Sequence, residues 1–225
     1  MPPEDRADGW STVRSLGRPV RYPPGTVVTT QGDAVDTLHI LESGFLALSV
    51  AVDDEERLIG FVERGMIVGG MDYFGRCPRS STTRALTETH TLLVRREILE
   101  DLLASDAAAR EALAHVVATG SRLFIERHVR YSQGSIAERV GRVLLDHLDD
   151  SGPSSDTGGA ERVLSTPLRQ KHVADLVGAG PRAVGLELAR FSAAGLVDTG
   201  YRARPRRLRV LRPAALSRLV DHDDS

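Results

Sequence analysis

Residues 168–210, LRQKHVADLVGAGPRAVGLELARFSAAGLVDTGYRARPRRLRV, restrict the fold more than any other stretch of this chain. Val173, Leu176 and Val177 share one face of a short helix over 170–177. Gly178, Ala179 and Gly180 then supply a tight turn. Pro181 suits the first turn of a second helix, where its missing N–H is no loss. That helix is expected to end near residue 194, with Val184, Leu188 and Phe191 inward and Gly195 just beyond its C-terminus. Segments 196–198 and 207–211 would pair as a two-stranded wing, with Arg202, Arg204 and Arg206 near its tip. The same pattern fits an ordinary helical hairpin with a solvated basic face, so charge becomes the next question.

The net charge is only −2, but it is unevenly placed. Residues 161–220 hold 12 Arg and Lys against 4 Asp and Glu, whereas residues 1–160 hold 17 against 24. A basic C-terminal module on an acidic body is the electrostatic footprint of nucleic-acid binding. A helix-turn-helix sets the start of its second helix in the major groove while flanking basic groups hold phosphate. Gln170, Lys171, Arg190 and the three wing arginines are the candidate phosphate contacts.

Upstream, short runs at 27–30, 37–41, 45–52, 57–62 and 91–95 are rich in β-branched and aliphatic residues and are punctuated by Gly and Asp. They predict a small antiparallel sandwich or barrel. From Glu97 the period becomes helical. Leu99, Leu102 and Leu103 give one short helix, and a longer one is expected over 107–132. Along it Leu113, Val117, Gly120, Phe124, Arg127 and Tyr131 alternate steps of four and three, the pattern of helices pairing along their length. Leu113, Val117, Gly120, Phe124 and Tyr131 are therefore the expected dimer seam; packing against the chain's own sheet would give the same stripe. Gln133-Gly134 ends the helix, and Ser135 with Glu138 three residues on reads as a capping box. Residues 151–160 read as a flexible linker.

The single cysteine, Cys77, excludes an intrachain disulfide and any all-cysteine metal or cluster site within one chain. The seven histidines show no metal-ligand spacing, and there is no P-loop, GxGxxG or Ser-His-Asp constellation. The expectation is a protein that is not an enzyme and holds no metal. A polar N-terminus and the lack of a membrane-length apolar run imply a soluble, cytoplasmic location.

The chain resembles the CRP/FNR family of bacterial transcription regulators along almost its whole length. The residues that carry the resemblance are PPGTVVTTQGDAVDTLHILESGFLALSV and LIGFVERGMIVGG, then the long helix, then the winged segment ending GLVDTGYRARPRRLRVLRPAALSRL. The resemblance implies an α+β architecture. An effector-sensing antiparallel β-roll of jelly-roll type would fill 1–106, a dimerisation helix 107–133, and a winged helix-turn-helix DNA-binding domain 134–225. It implies a homodimer on a pseudo-palindromic duplex site, with RNA polymerase a further partner. The alternative is a ligand-binding regulatory module whose winged helix docks a protein.

The reading helix departs from the family's Ser-Arg-Glu-Thr-Val-(Ser/Gly)-Arg. Here the run is Gly180-Pro181-Arg182-Ala183-Val184-Gly185-Leu186. Proline and leucine stand where the family's two arginines do, and neither can grip guanine with two hydrogen bonds. Arg182 is then the expected base reader, with Ala183 and Glu187 shaping its surroundings, and the half-site is expected to differ from the family's TGTGA.

The family's cyclic-nucleotide cassette pairs Gly-Glu with a later Arg-Ser or Arg-Ala. This chain has Gly69-Gly70-Met71-Asp72 and then Arg79-Ser80, so the phosphate end matches and the ribose-binding glutamate is replaced by Gly70. Phe124 and Ile125 fall where the cyclic-AMP-binding member offers Thr-Ser to adenine. The candidate effector residues are thus Gly69, Gly70, Met71, Asp72, Arg79, Ser80, Phe124 and Ile125. Asp72 has two readings, a ribose contact or a partner for Arg79. The effector stays open: a cyclic nucleotide, another small ligand, or none. The iron–sulfur members need several cysteines. The haem member's Cys-Met-His would fall on Gly69-Gly70-Met71, which lacks both axial ligands. Redox sensing would rest on Cys77 beside Arg76 and Arg79.

Overall fold

The computed structural model describes residues 7–53, 55–148, 162–164, 167–199 and 208–220. The chain divides into two compact units, Met1–Ile125 and Glu126–Ser225.

In the first unit, α1 (Ala7–Ser15) precedes eight strands, β1 (Arg18–Tyr22), β2 (Val27–Thr29), β3 (Thr37–Ser43), β4 (Leu46–Val52), β5 (Glu55–Val62), β6 (Ile67–Val68), β7 (Thr82–Ala85) and β8 (Thr89–Arg95). A short helix, α2 (Gly70–Gly75), interrupts them between β6 and β7. The strands form two four-stranded antiparallel sheets, ordered β1-β8-β3-β6 and β2-β7-β4-β5. This is the expected β-roll. The central strand β3 is buried from Leu38 to Leu41, because both of its faces are covered. Leu41, Leu46, Val62, Val68 and Ala85 pack between the sheets. Leu38, Ile40 and Val94 turn the other way, onto Val13 of α1, Leu99 and Leu103 of α3 (Arg96–Ser105), and Ala109 and Leu113 of α4 (Ala107–Ser132).

That last contact bears on the seam. Leu113 has no exposed surface and belongs to the core of its own unit. Val117 packs on the same cluster, and the ring of Phe124 lies over Gly60 of β5. Tyr131, at the far end of α4, is buried and donates through its hydroxyl to Asp146 at 3.1 Å. Leu113 and Tyr131, two of the residues expected to face a second chain, are thus buried inside their own units. Gly120, also in the stripe, has open space where a Cβ would be. Apolar residues on the exposed side of α4 include Ala114, Ala118 and Ile125, each one residue beyond a stripe position, and Val129, one turn after Ile125.

In the second unit, α5 (Ile136–Asp146) opens with the capping box read from the sequence: Glu138 N–H donates to Ser135 Oγ, and Ser135 N–H donates to the Glu138 carboxylate. Helices α6 (Gln170–Leu176) and α7 (Pro181–Ala193) follow, then α8 (Pro213–Val220). β9 (Arg162–Val163), β10 (Val197–Asp198) and β11 (Arg209–Val210) make a three-stranded antiparallel sheet, ordered β10-β11-β9. β10 and β11 are the base of the wing. Val140, Val143, Leu144, Val173, Val184, Phe191 and Leu216 are all buried in this unit. Arg139 Nη1 donates to the Val177 carbonyl at 2.6 Å and so ties α5 to the end of α6. Among the described residues no helix is long and apolar enough to cross a membrane.

Candidate nucleic-acid interface and effector site

α6 and α7 are joined as the sequence predicts. Gly178 takes the left-handed conformation (φ +60°) that lets the chain reverse, and Pro181 sits at the first turn of α7. Gln170, one of the residues assigned to phosphate, also braces the motif internally. Its Nε2 donates to the Pro181 carbonyl at 2.6 Å, pinning α6 to the start of α7. Val184, Leu188 and Phe191 bury the inner face of α7. Its outer face carries Arg182, Leu186 and Arg190, spaced four residues apart and exposed. Arg182 makes no ion pair or hydrogen bond among the described residues. Arg190 is held by Glu187 at 3.1 Å, and Lys171 by Asp175 at 3.2 Å, so phosphate would compete with a carboxylate at both. Ala183 is half-buried, and Gly180 caps the helix with an ordinary extended backbone. Arg202, Arg204 and Arg206 lie outside the described residues, as does the expected linker at 151–160.

The effector candidates gather around the loop from β6 to β7. Gly69 is left-handed (φ +83°), and α2 starts immediately after it. Arg79 is 6% exposed. Its Nη2 donates to the Thr37 carbonyl at 2.7 Å and to Thr37 Oγ1 at 3.1 Å, while its Nη1 is buried with no hydrogen-bond partner among the described residues. Burial pulls the guanidinium below its ordinary pKa, opposed by the charges of Asp72, Asp33 and Asp36. Asp72 is buried too, but it forms no ion pair with Arg79 among the described residues; its Oδ1 faces the Cys77 thiol at 4.0 Å. Cys77, Met71 and Ser80 are exposed.

The sequence carries no signal for two further members of this cluster. Thr37 Oγ1 lies 3.3 Å from His39 Nε2, and His39 Nδ1 lies 3.4 Å from the Tyr22 hydroxyl. Burial, followed by the charge of Arg79, lowers the His39 pKa to about 4. The ring is therefore neutral at pH 7 and shares one hydroxyl with the arginine. Strand alternation does put Thr37 and His39 on one face, but nothing local marks that face as the one Arg79 would reach.

Gly70 is more than a missing glutamate. A Cβ there would stand 2.5 Å from Val117 Cγ2 and 2.8 Å from Ile67 Cγ2. Any larger residue must push aside the side chains of Val117 on α4 and Ile67 on β6. Phe124 contacts the Gly60 backbone, and Ile125 points away from the core with 61% of its surface exposed. The two positions expected beside a nucleotide base thus offer a ring and an outward aliphatic chain, with no hydrogen-bonding group in either side chain.

Known proteins match both halves. A family model described as the cyclic nucleotide-binding domain matches residues 19–106, and one described as the Crp-like helix-turn-helix domain matches residues 138–219. The chain is 29% identical over 189 residues to the CRP-like cAMP-activated global transcriptional regulator of Mycobacterium tuberculosis, across 80% of each chain. Two solved structures share the fold. One is the c-di-GMP responsive global regulator CLP of Xanthomonas campestris, with a TM-score of 0.72 and 22% identity over 92% of this chain and 99% of that one. The other is a CRP-family transcriptional regulator of Thermus thermophilus, with a TM-score of 0.71 and 22% identity over 89% and 96%.

Proposed function

We propose, from the premise that this chain belongs to the CRP/FNR family and is a DNA-binding transcription regulator rather than an enzyme, that α7 reads a pseudo-palindromic duplex site through Arg182, as one half of a cytoplasmic homodimer. The observation that carries this reading is the outer face of α7, where Arg182 stands exposed in the first turn, without an ion pair or hydrogen bond among the described residues, while the opposite face is buried. An arginine there grips guanine O6 and N7. Gln170, Lys171, Arg190 and the wing arginines hold phosphate, and RNA polymerase is the further partner of the bound dimer. Selection from random duplexes, followed by binding at two salt concentrations, tests this. The expected half-site is not TGTGA, and Arg182→Ala should lose about 1–3 kcal/mol of discrimination at one base pair. TGTGA half-sites insensitive to Arg182→Ala would overturn it. Absence of duplex binding at low salt would favour a protein-docking role for the winged helix.

The dimer seam we assign to the outward face of α4, Ala114, Ala118, Ile125 and Val129. Small residues there permit close helix approach, and an Ile 61% exposed is the kind of apolar surface that a second copy removes from water.

Control enters at Arg79. A buried donor left without an acceptor costs about 1–3 kcal/mol, and an anionic effector would supply that acceptor at Nη1. The relatives named for cAMP and c-di-GMP respond to phosphodiesters, which fit that description. The ribose acceptor and the polar base contacts are absent, so the anchor remains while the rest of the cyclic-AMP recognition does not. Titration calorimetry with cyclic AMP and cyclic GMP should give dissociation constants weaker than about 1 μM, a binding free energy smaller than about 8 kcal/mol. Submicromolar binding of either would refute this account of Gly70 and Phe124. The bound effector would shift the population of dimers whose reading helices match the half-site spacing.

A further inference from the structure

The outer face of α7 carries one large apolar side chain, Leu186, and we propose that it selects a thymine by contact with the 5-methyl group. This rests on the reading that α7 enters the major groove. Leu186 is 63% exposed, one turn beyond Arg182 and one turn before Arg190. The core has no use for it, since Val184, Leu188 and Phe191 already fill the inner face of the helix.

The chemistry leaves few targets. A leucine side chain has neither donor nor acceptor, so the N7, O6, N6 and O4 groups of the major groove are invisible to it. The one apolar group that a standard base presents there is the thymine methyl. Arg190, one turn further on, matches the charge of a phosphate flanking such a base, while Arg182, one turn back, keeps to its guanine. Rigidity helps. Gln170 Nε2 is bonded to the Pro181 carbonyl and lies 2.6 Å from where a Cβ on Gly185 would be. Gly185 is what allows that side chain to lie against α7, so the helix is pinned just before Leu186. Four helical residues span about 6 Å, so the thymine should lie about two base-pair steps from the guanine read by Arg182.

Uracil isolates this contact, because it keeps every hydrogen-bonding group of thymine and lacks only the methyl. With the full-length chain and its selected duplex, each thymine is replaced in turn by uracil in both half-sites. Affinity is read by fluorescence anisotropy. The expected result is one position where the change weakens the wild type about fourfold per half-site, from ~0.8 kcal/mol per buried CH2, or about fifteenfold for the palindrome. Leu186→Ala, at an exposed position that leaves the helix intact, should bind thymine and uracil duplexes equally there. A scan that is flat for the wild type while binding remains sensitive to Arg182→Ala would overturn the Leu186 assignment alone. A loss that persists undiminished in Leu186→Ala would overturn it as well. Binding insensitive to both variants would overturn the groove reading, and this assignment with it.

Discussion

Leu113→Ala is expected to destabilise the N-terminal unit by about 2–5 kcal/mol, whereas Ile125→Glu should leave that unit folded and convert the proposed dimer to monomer. The two residues are twelve apart on α4 and occupy different environments. Leu113 is fully buried among Val13, Val35, Leu38, Ile40, Val94, Leu99, Leu103 and Ala109. Removing its isobutyl group loses the transfer free energy and leaves a cavity bounded by helices and strands, which cannot collapse freely. Ile125 is 61% exposed, so a carboxylate there meets water in the monomer and meets its own copy in a dimer. Urea unfolding followed by circular dichroism checks the first, and sedimentation velocity checks the second. A Leu113→Ala protein of unchanged stability that dissociates would restore the seam read from the sequence and refute the one assigned to the outward face.

Acid should weaken the β-roll through His39. The sign follows from its lowered pKa, about 4 in the folded protein against 6.5 in an unfolded chain. Between these values the unfolded state binds more protons, so stability is complete above about pH 6.5 and falls as the pH drops toward 4. The full difference, roughly 2.5 units, corresponds to about 3 kcal/mol. Protonation would charge a buried ring that faces the Tyr22 hydroxyl, Thr37 Oγ1 and the positive Arg79. Unfolding midpoints at about pH 7 and pH 4.5 should therefore lie well apart for the wild type and closer together for His39→Gln. Equal separation in both proteins would mean that other groups dominate the acid limb.

The helix-turn-helix was legible because its signals are local. A turn glycine, a proline at the first helical position and inward residues at helical spacing each act within a few residues, and α6 and α7 lie where they indicate. The capping box at Ser135 and Glu138 is of the same kind. The strands found from sequence were those with strong aliphatic runs. β1, β6, β7 and β9 were missed because they are short or polar and exist only through their partners. α1, α2 and α8 were missed for lack of a long apolar period.

The candidate effector cluster was half legible. Arg79 could be placed by spacing, but Asp72 was expected either to reach a ribose or to pair with Arg79. It is buried against Cys77, while Thr37, from a distant strand, takes the arginine instead.

The sequence by itself determined the order of the domains, the α6–turn–α7 unit and the chemistry absent from its reading face, since Pro181 and Leu186 are facts of composition at fixed positions. Only the tertiary structure decided which stripe of α4 is covered. Stripes beginning at Leu113 and at Ala114 both advance by four and three residues and are offset by about 100° of helix rotation. Periodicity is the same for both, so it cannot say which one a sheet will bury. The β-roll took the one with Leu113, whose isobutyl group packs with Leu38, Ile40, Leu99 and Leu103, and left Ala114, Ala118 and Ile125 facing outward.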